Sequence, residues 1–344
     1  MRAWTGAGMI IAGLALLVLL AAIAELMIGA VAVSPLRIVE LLTGAPASPR
    51  EAAVLWQIRL PRAVLALAVG AALGLSGAAQ QGLFRNPLAD PALVGVSAGA
   101  ALAAVAAIVF ADRIDIAALP FPPRALVPVL AFAGGLAATF LALRLARAAD
   151  PSGGSTAGLL LAGIAVNAVC GAGTGLLVTL SDDRQLRDIT FWTMGSLANG
   201  SWLGIGAALA AAGLALALLL PASRALDALL LGEREAAYLG IDVRRLRRRV
   251  VVANALAVGG AVSAAGMIGF VGLVVPHLVR RLGGARHGFV LPASALLGAA
   301  MLLLADAGAR VVAAPMEMPI GLVTSALGGP FFILLLLRRG RAPA

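Results

Sequence analysis

RLPRAVLALAVGAALGLSGAAQQGLFRNP, from Arg59 to Pro87, decides the class of fold. Between Arg62 and Arg85 it carries no charged side chain and consists mainly of Ala, Gly and Leu. About 20 apolar residues are enough for a helix to cross the hydrocarbon core of a bilayer. The arginines at both ends suit the membrane–water interfaces, where a guanidinium group reaches polar headgroups. This stretch therefore predicts a transmembrane helix.

Composition extends this interpretation to the whole chain. The 344 residues are 61% hydrophobic and 12% charged, with a mean hydropathy of +1.02. A soluble protein of this size needs far more polar surface. All 26 basic residues are arginines, and they lie between the apolar runs. That distribution is typical of residues that orient membrane helices and argues against a nucleic-acid-binding protein, despite the net charge of +10.

The apolar runs predict an all-α polytopic membrane protein with about ten transmembrane helices in one domain, residues 1–344. The predicted spans are 6–32, 58–83, 92–110, 124–146, 156–180, 201–221, 249–266, 267–282, 290–310 and 319–337. The boundary near Gly266 is the least defined. An even number of spans places both termini on one side. Most arginines fall on that side, so both termini are expected on the cytoplasmic side of the membrane.

The first apolar run has a second interpretation. A basic start and the pair Ala30-x-Ala32 also occur in cleaved signal peptides. The run from Thr5 to Val33 is longer than the apolar region of a signal peptide and can cross a bilayer. We therefore expect a first transmembrane helix.

LGEREAAYLGIDVRRLRRR, Leu231–Arg249, is unusually charged for this chain and lies between the sixth and seventh predicted spans. Glu233 suits the positive N-terminal end of a short helix, and Gly240 can end that helix in a left-handed conformation. Asp242 can cap the helix that follows. The pattern predicts a helix–Gly–helix elbow that docks on a cytoplasmic partner. The alternative is a solvated loop whose arginines contact lipid headgroups.

LGEREAAYLG resembles the coupling loop of the permeases for iron siderophores, haem and cobalamin, the FecCD/BtuC-like family. The block WQIRLPRAVLALAVGAALGLSGAAQQGLFRNPLADPALVGVSAGA, Trp56–Ala100, is similar to the most characteristic segment of that family. LLLAGIAVNAV, GMIGFVGLVVPHLVRRLGG, LLLADAGAR and MPIGLVTSALGGPFFILLL also match, in order. The resemblance covers nearly the whole chain and implies the BtuC-like fold of a type II ABC importer.

Several properties follow from the resemblance. It implies a homodimer of permeases in a bacterial inner membrane, with two cytoplasmic ATPase subunits and one periplasmic substrate-binding protein. The chain contains no lysine and so no P-loop; we expect no enzyme activity, no bound cofactor, and ATP with Mg²⁺ in the partner ATPase. Segment 223–248 becomes the coupling loop. Its expected ATPase contacts are Gly232, Glu233, Ala236, Leu239 and Gly240.

The resemblance also assigns an outer docking site. Arg59, Arg62 and Arg310 match arginines that pair with glutamates of the binding protein, and exposed guanidinium groups suit such pairing. The alternative is that they only reach the interface from helix ends. Asp306 and Glu317 are expected to pair with Arg310, which would hold it in place.

Two cytoplasmic gates are implied as well. Asn86 and Leu88 match one gate, and Ser155 and Thr156 match the other. Asn-Pro and Ser-Gly-Gly are also ordinary turn sequences. The second assignment is the weaker one, because this chain has DPSGGST where relatives vary.

The cargo is indicated by FWTMGSL, which resembles the haem branch of the family. Phe191, Trp192 and Met194 offer flat apolar contacts for a porphyrin. The alternative for these residues is an aromatic belt at the interface. A ferric siderophore or cobalamin remains the alternative cargo.

Other classes of function explain less. An ion-coupled secondary transporter predicts paired acids in the membrane, and Glu25, towards the outer end of the first span, is the one candidate. A purely structural subunit gives no reason for an elbow and arginines on opposite faces. His277, beside Pro276, could bind a proton or iron, or simply a carbonyl freed by the proline. His287 is expected to be solvated.

Overall fold

The computed structural model describes residues 2–29, 34–46, 48–113, 120–149, 155–198, 200–313 and 316–339, and every regular element within these ranges is helical. The α-helices are α1 (Arg2–Met27), α2 (Pro35–Leu42), α3 (Pro49–Ala52), α4 (Leu60–Leu83), α5 (Val96–Val109), α6 (Leu126–Ala149), α7 (Thr156–Thr179), α8 (Asp183–Met194), α9 (Trp202–Leu219), α10 (Ser223–Leu229), α11 (Glu233–Tyr238), α12 (Val243–Ala265), α13 (Val271–Gly283), α14 (His287–Val312) and α15 (Ile320–Arg339). A π-helical segment, Ala53–Arg59, makes α3 and α4 continuous, and 3₁₀ turns cover Pro91–Val94, Ala111–Arg113 and Pro123–Ala125.

The predicted spans coincide with helices. Among the described residues, α1, α4 with its N-terminal extension, α6, α7, α9 and α14 are long and apolar enough to cross a membrane, and α5 and α15 are shorter apolar helices. The remaining two spans correspond to α12 and α13. The all-α membrane fold is thereby confirmed. The total of ten crossings and the side on which the termini lie stay predictions.

The first helix is packed into the fold. Leu14, Ala21 and Leu26 are buried, and α1 lies against α14. Its opposite side exposes apolar side chains such as Leu16 and Leu19, as a lipid-facing surface does. This fits the expected membrane helix; the pair Ala30-x-Ala32 lies outside the described residues.

Helix α4 forms the centre of the core and packs against α14, α12, α13 and α9. It approaches α14 so closely that a Cβ atom on Gly70 would lie 2.3 Å from the carbonyl oxygen of Gly298. A Cβ atom on Gly298 would meet the carbonyl oxygen of Gly70 at 2.2 Å. Small residues at such crossings let helices pack where lipid removes the hydrophobic drive for association. The small-residue pattern in α4 therefore serves packing.

Polar side chains join the same helices. The hydroxyl of Ser76 on α4 donates to Asn254 Oδ1 on α12, and Asn254 Nδ2 donates to the carbonyl oxygen of Pro91 at 3.1 Å. Gln81 Nε2 donates to the carbonyl oxygen of Leu273 on α13 at 3.2 Å. Buried polar groups need such partners, because an unpaired one carries its full desolvation cost.

The uncertain boundary near Gly266 is a break in the helix. Helix α12 ends at Ala265 and α13 begins at Val271. Gly266 has φ +71°, and a Cβ atom there would lie 2.2 Å from the carbonyl oxygen of Trp192. A glycine is therefore required both by the backbone conformation and by the close approach of α8. The break places the C-terminal end of α8 beside the ends of α12 and α15.

Candidate functional site

Arg62, one of the predicted outer arginines, pairs with a buried carboxylate, Asp306 of α14. Arg62 Nε donates to Asp306 Oδ2 at 2.6 Å, and Arg62 Nη2 donates to Asp306 Oδ1 at 2.9 Å. Both residues are buried. Two parallel hydrogen bonds between a guanidinium and a carboxylate form the strongest kind of ion-pair geometry. This pair joins the N-terminal end of α4 to the C-terminal part of α14.

Arg310 forms its ion pair with a different carboxylate, that of Glu25. Its Nη2 group forms an ion pair with Glu25 of α1 and donates to the carbonyl oxygen of Glu25 at 2.8 Å. The distance from Arg310 Nε to Asp306 Oδ2 is longer, at 3.6 Å. Glu317, which the sequence also pairs with Arg310, lies instead 3.7 Å from Arg62. Glu25 is fully buried, so its role in this structure is to balance the charge of Arg310.

The side chain of Arg59 caps the C-terminal end of α1. Its Nη1 group donates to the carbonyl oxygens of Leu26 and Met27 at 2.5 and 3.2 Å, the last residues of α1. A cation suits this position, because the C-terminal end of a helix carries unpaired carbonyls and partial negative charge. Arg59 is 3% exposed.

The expectation that these guanidinium groups are exposed is therefore wrong. Arg59 and Arg62 are buried, and Arg310 keeps 14% of its side-chain surface. Carboxylates and helix-end carbonyls of the same chain neutralise them, because a buried cation is costly without such partners. The assignment of the three arginines to binding-protein docking stays a prediction, and we take it up again under "Proposed function".

A cavity of about 440 Å³ opens beside this cluster. Phe191 and Trp192 form part of its wall, and Met194 lies outside its lining. Its charged lining groups are Arg62, Arg124, Asp188 and Glu317. A pocket of this size with aromatic walls and a few charged groups suits a small-molecule ligand.

The elbow, Leu231–Arg249, has the predicted local structure. Helix α11 begins with Glu233 and is followed by Gly240 at φ +81°. Asp242 Oδ1 then accepts a hydrogen bond from the backbone N of Arg245 at 3.0 Å and caps α12. These features are local in sequence, which is why the pattern could predict them.

The elbow buries two of its five expected ATPase contacts and exposes Leu239 and Gly240. Ala236 is fully buried, and Gly232 is buried as well. Tyr238 is 91% exposed and Leu239 is 63% exposed. Ala236, one of the expected ATPase contacts, therefore packs into its own chain in this structure. The outward apolar surface is formed by Tyr238 and Leu239, together with Leu231.

The two predicted gates lie at helix ends. Asn86 Oδ1 accepts from the backbone N of Leu88 at 2.9 Å in the turn that follows α4. Ser155 caps α7, because its Oγ atom accepts from the backbone N of Gly158 at 2.9 Å. Among the described hydrogen bonds, none joins one gate to the other. Thr156 instead donates through its hydroxyl to Glu233 of the elbow.

The contact between His287 and Asp227 was missed by the sequence analysis. His287 is 1% exposed, so the expectation of a solvated side chain is wrong. Its backbone N donates to Asp227 Oδ1 at 2.8 Å, and its Nδ1 lies 2.7 Å from the same atom. The ring also packs on Gly82, where a Cβ atom would lie 2.3 Å from Nε2. The sequence signal for this contact was Asp227, the single acidic residue of α10.

His277 lies in α13 and packs edge-on against Phe331, with ring centroids 5.9 Å apart. It lines a cavity of about 240 Å³ together with Arg281. Within the described part of the chain, no three His, Cys, Asp or Glu residues are close enough to hold a metal ion.

Comparison with known proteins adds to this geometry. A model of the FecCD transport family matches residues 15–338. The chain is 47% identical over 292 residues to the hemin transport system permease protein HmuU of Yersinia pestis, covering 82% of each chain. It is 44% identical to the cobalamin import system permease protein BtuC of Halobacterium salinarum, over 82% of this chain and 73% of the relative. A solved structure described as an inward-facing metal-chelate type ABC transporter superposes with a TM-score of 0.83 at 33% identity. It covers 96% of this chain and 99% of its own.

Proposed function

This chain belongs to the FecCD transport family, and we propose that it is the membrane permease of an ATP-driven importer that carries haem into the cytoplasm. The observation that carries the choice of haem is its 47% identity to a permease named for hemin transport. Cobalamin is the second candidate, because permeases named for cobalamin import are up to 44% identical. A ferric siderophore remains the third.

The aromatic wall of the outer cavity supports a flat apolar cargo. Phe191 is 60% exposed and Trp192 lies beside it in the lining of the cavity. Aromatic faces stack on a porphyrin without fixing it in one orientation. Weak contacts suit a conduit, since a transported molecule has to leave as well as enter. Met194, which is 36% exposed, stays in the proposal as a further cargo contact.

Family membership makes the chain a permease subunit, and ATP hydrolysis belongs in our proposal to a separate subunit that holds ATP and Mg²⁺. The absence of lysine from the sequence excludes a P-loop in this chain. The exposed Tyr238 and Leu239 offer the elbow surface on which such a subunit can dock. A homodimer of permeases completes the proposed assembly, with two ATPases in the cytoplasm.

Docking of a periplasmic binding protein at Arg62 has to take account of the partners that this arginine already has. Asp306 holds it from the buried side at 2.6 Å. Glu317 touches it loosely at 3.7 Å and is 71% exposed. A glutamate of the binding protein can therefore replace Glu317 without breaking the buried pair. Arg310 and Arg59 contribute by holding α1 and α14 in place around this contact.

Reconstitution in liposomes tests the proposed function. The chain would be purified with its ATPase, the binding protein added inside or outside, and ATP-dependent uptake of haem, a ferric siderophore and cobalamin compared. Haem uptake that needs both ATP and the binding protein is expected. A complex that imports cobalamin or the siderophore, but no haem, would show that the cargo assignment is wrong.

Cysteine labelling tests the proposed orientation independently of cargo. Cys170→Ser removes the single cysteine of the chain, and Tyr238→Cys then introduces an exposed thiol on the elbow. We expect an impermeant maleimide to label it in inside-out vesicles only. Labelling in intact spheroplasts would reverse the orientation and exclude ATPase docking at the elbow.

A further inference from the structure

The elbow is bonded directly to the inner end of α7. Glu233, the first residue of α11, accepts a hydrogen bond from the hydroxyl of Thr156, the first residue of α7. The two residues are 77 positions apart in the chain. No local capping pattern accounts for this bond, because it connects different parts of the fold.

Neither side chain is required by its own helix. Ser155 already caps α7, through its bond to the backbone N of Gly158. The cap position of α11 is Gly232, which precedes Glu233. The hydroxyl of Thr156 and the carboxylate of Glu233 are therefore available to each other.

Glu233 is also held by a second helix. Arg247 Nη2 lies 3.3 and 3.2 Å from its two carboxylate oxygens. Arg247 belongs to α12, and only 8% of its side chain is exposed. Because α12 packs on α4, α6 and α9, it is the fixed body against which the carboxylate is oriented.

Helix α7 is the less constrained partner. It packs mainly on α5 and α6, and its other side is open: Leu161 and Val169 are 69% and 71% exposed. A helix with few packed neighbours can shift at lower cost than one in the core. In the single chain, α7 can therefore follow a displacement of the elbow at lower cost than the packed helices α4 and α12 can.

From these contacts we propose that Glu233 is the positioning residue that transmits movement of the elbow to α7, through the hydroxyl of Thr156, with Arg247 as its anchor. The inference rests on the proposed function, in which an ATPase docks on Tyr238 and Leu239. These residues follow Glu233 by five and six positions in the same elbow. Docking would move α11, and α7 would follow through this hydrogen bond.

Thr156→Val tests the link most directly, because it removes the hydroxyl, keeps the shape of the side chain and leaves the Glu233–Arg247 pair intact. The number of ATP molecules hydrolysed per haem imported should rise about tenfold, the effect of losing one hydrogen bond to a charged group. Thr156→Ser keeps the hydroxyl and should restore the wild-type ratio. Thr179→Val is the matched control at the other end of α7, where the hydroxyl bonds only to the carbonyl oxygen of Leu176.

A double-mutant cycle with Glu233→Ala shows whether the two residues act through each other. We expect Thr156→Val to change the ratio no further when it is added to Glu233→Ala, because the bond between the two residues is already lost in that variant. Additive effects would overturn the proposal, and so would a Thr156→Val ratio equal to that of Thr179→Val.

A second readout does not depend on the cargo. In the Cys170→Ser background, Ala157→Cys places a thiol on the exposed first turn of α7, and its labelling rate can be compared with and without trapped ATP on the ATPase. The rate should change on trapping, and Thr156→Val should abolish that change. If the labelling rate still changes on trapping when Thr156→Val is present, the link is refuted. Failure of the wild-type complex to import haem would instead refute the proposed cargo.

Discussion

Asp306→Asn is expected to destabilise the protein strongly, although it alters a single atom. Asp306 has no exposed surface, and Arg62, which it holds through two hydrogen bonds of 2.6 and 2.9 Å, keeps only 7% of its side-chain surface. The amide retains one acceptor and loses both the charge and the second acceptor. Arg310, with its Nε 3.6 Å from the same carboxylate, loses a neighbour as well.

The magnitude follows from the bonds that are lost. A hydrogen bond between charged groups contributes roughly 1.5–3 kcal/mol, and removing one partner of a buried ion pair costs about 3–5 kcal/mol. Because one acceptor remains, we expect the free energy of unfolding to fall by about 3 kcal/mol. Glu317→Gln removes the other carboxylate beside Arg62, but that side chain is 71% exposed. Solvent screens such a contact, so the expected loss is less than about 1 kcal/mol.

Unfolding by sodium dodecyl sulfate in mixed micelles, followed by tryptophan fluorescence, measures both variants under the same conditions. The reasoning requires the midpoint for Asp306→Asn to fall well below that for Glu317→Gln. Arg62→Ala combined with Asp306→Ala should recover part of the loss, since neither charge is then left buried alone. Equal and small shifts for the two single variants would show that the buried cluster does not stabilise the fold as described.

Two further outcomes are expected. Gly298→Ala should lower the unfolding temperature, at a cost of about 1–3 kcal/mol for overpacking, because its Cβ would lie 2.2 Å from a carbonyl oxygen of α4. Gly308→Ala on the same helix has open space around the new Cβ, and an equal effect there would contradict the packing argument. Tyr238→Ser should weaken co-purification of the ATPase by roughly tenfold or more, as loss of an exposed aromatic anchor does at interfaces, with unfolding temperature as the control. Unchanged co-purification would place the docking surface elsewhere.

The sequence by itself determined the features that depend on neighbours along the chain. Helix spans follow from the length of apolar runs, because each span has to satisfy its own backbone hydrogen bonds in lipid. The elbow follows from Gly240 and Asp242, since a left-handed cap and a side-chain cap act within a few residues. Five ordered motifs also identified the family, which the match over residues 15–338 confirms.

The tertiary structure alone decided which charges are neutralised and which surfaces are free. Arg62 and Asp306 are separated by 244 positions, so no pattern in the sequence distinguishes a buried pair from two exposed ends. For the same reason the sequence could not show that Ala236 is buried while Tyr238 is exposed, or that Thr156 has Glu233 as a partner. Burial and pairing are set by how helices pack across the fold, whereas caps and spans are set by the chain beside them.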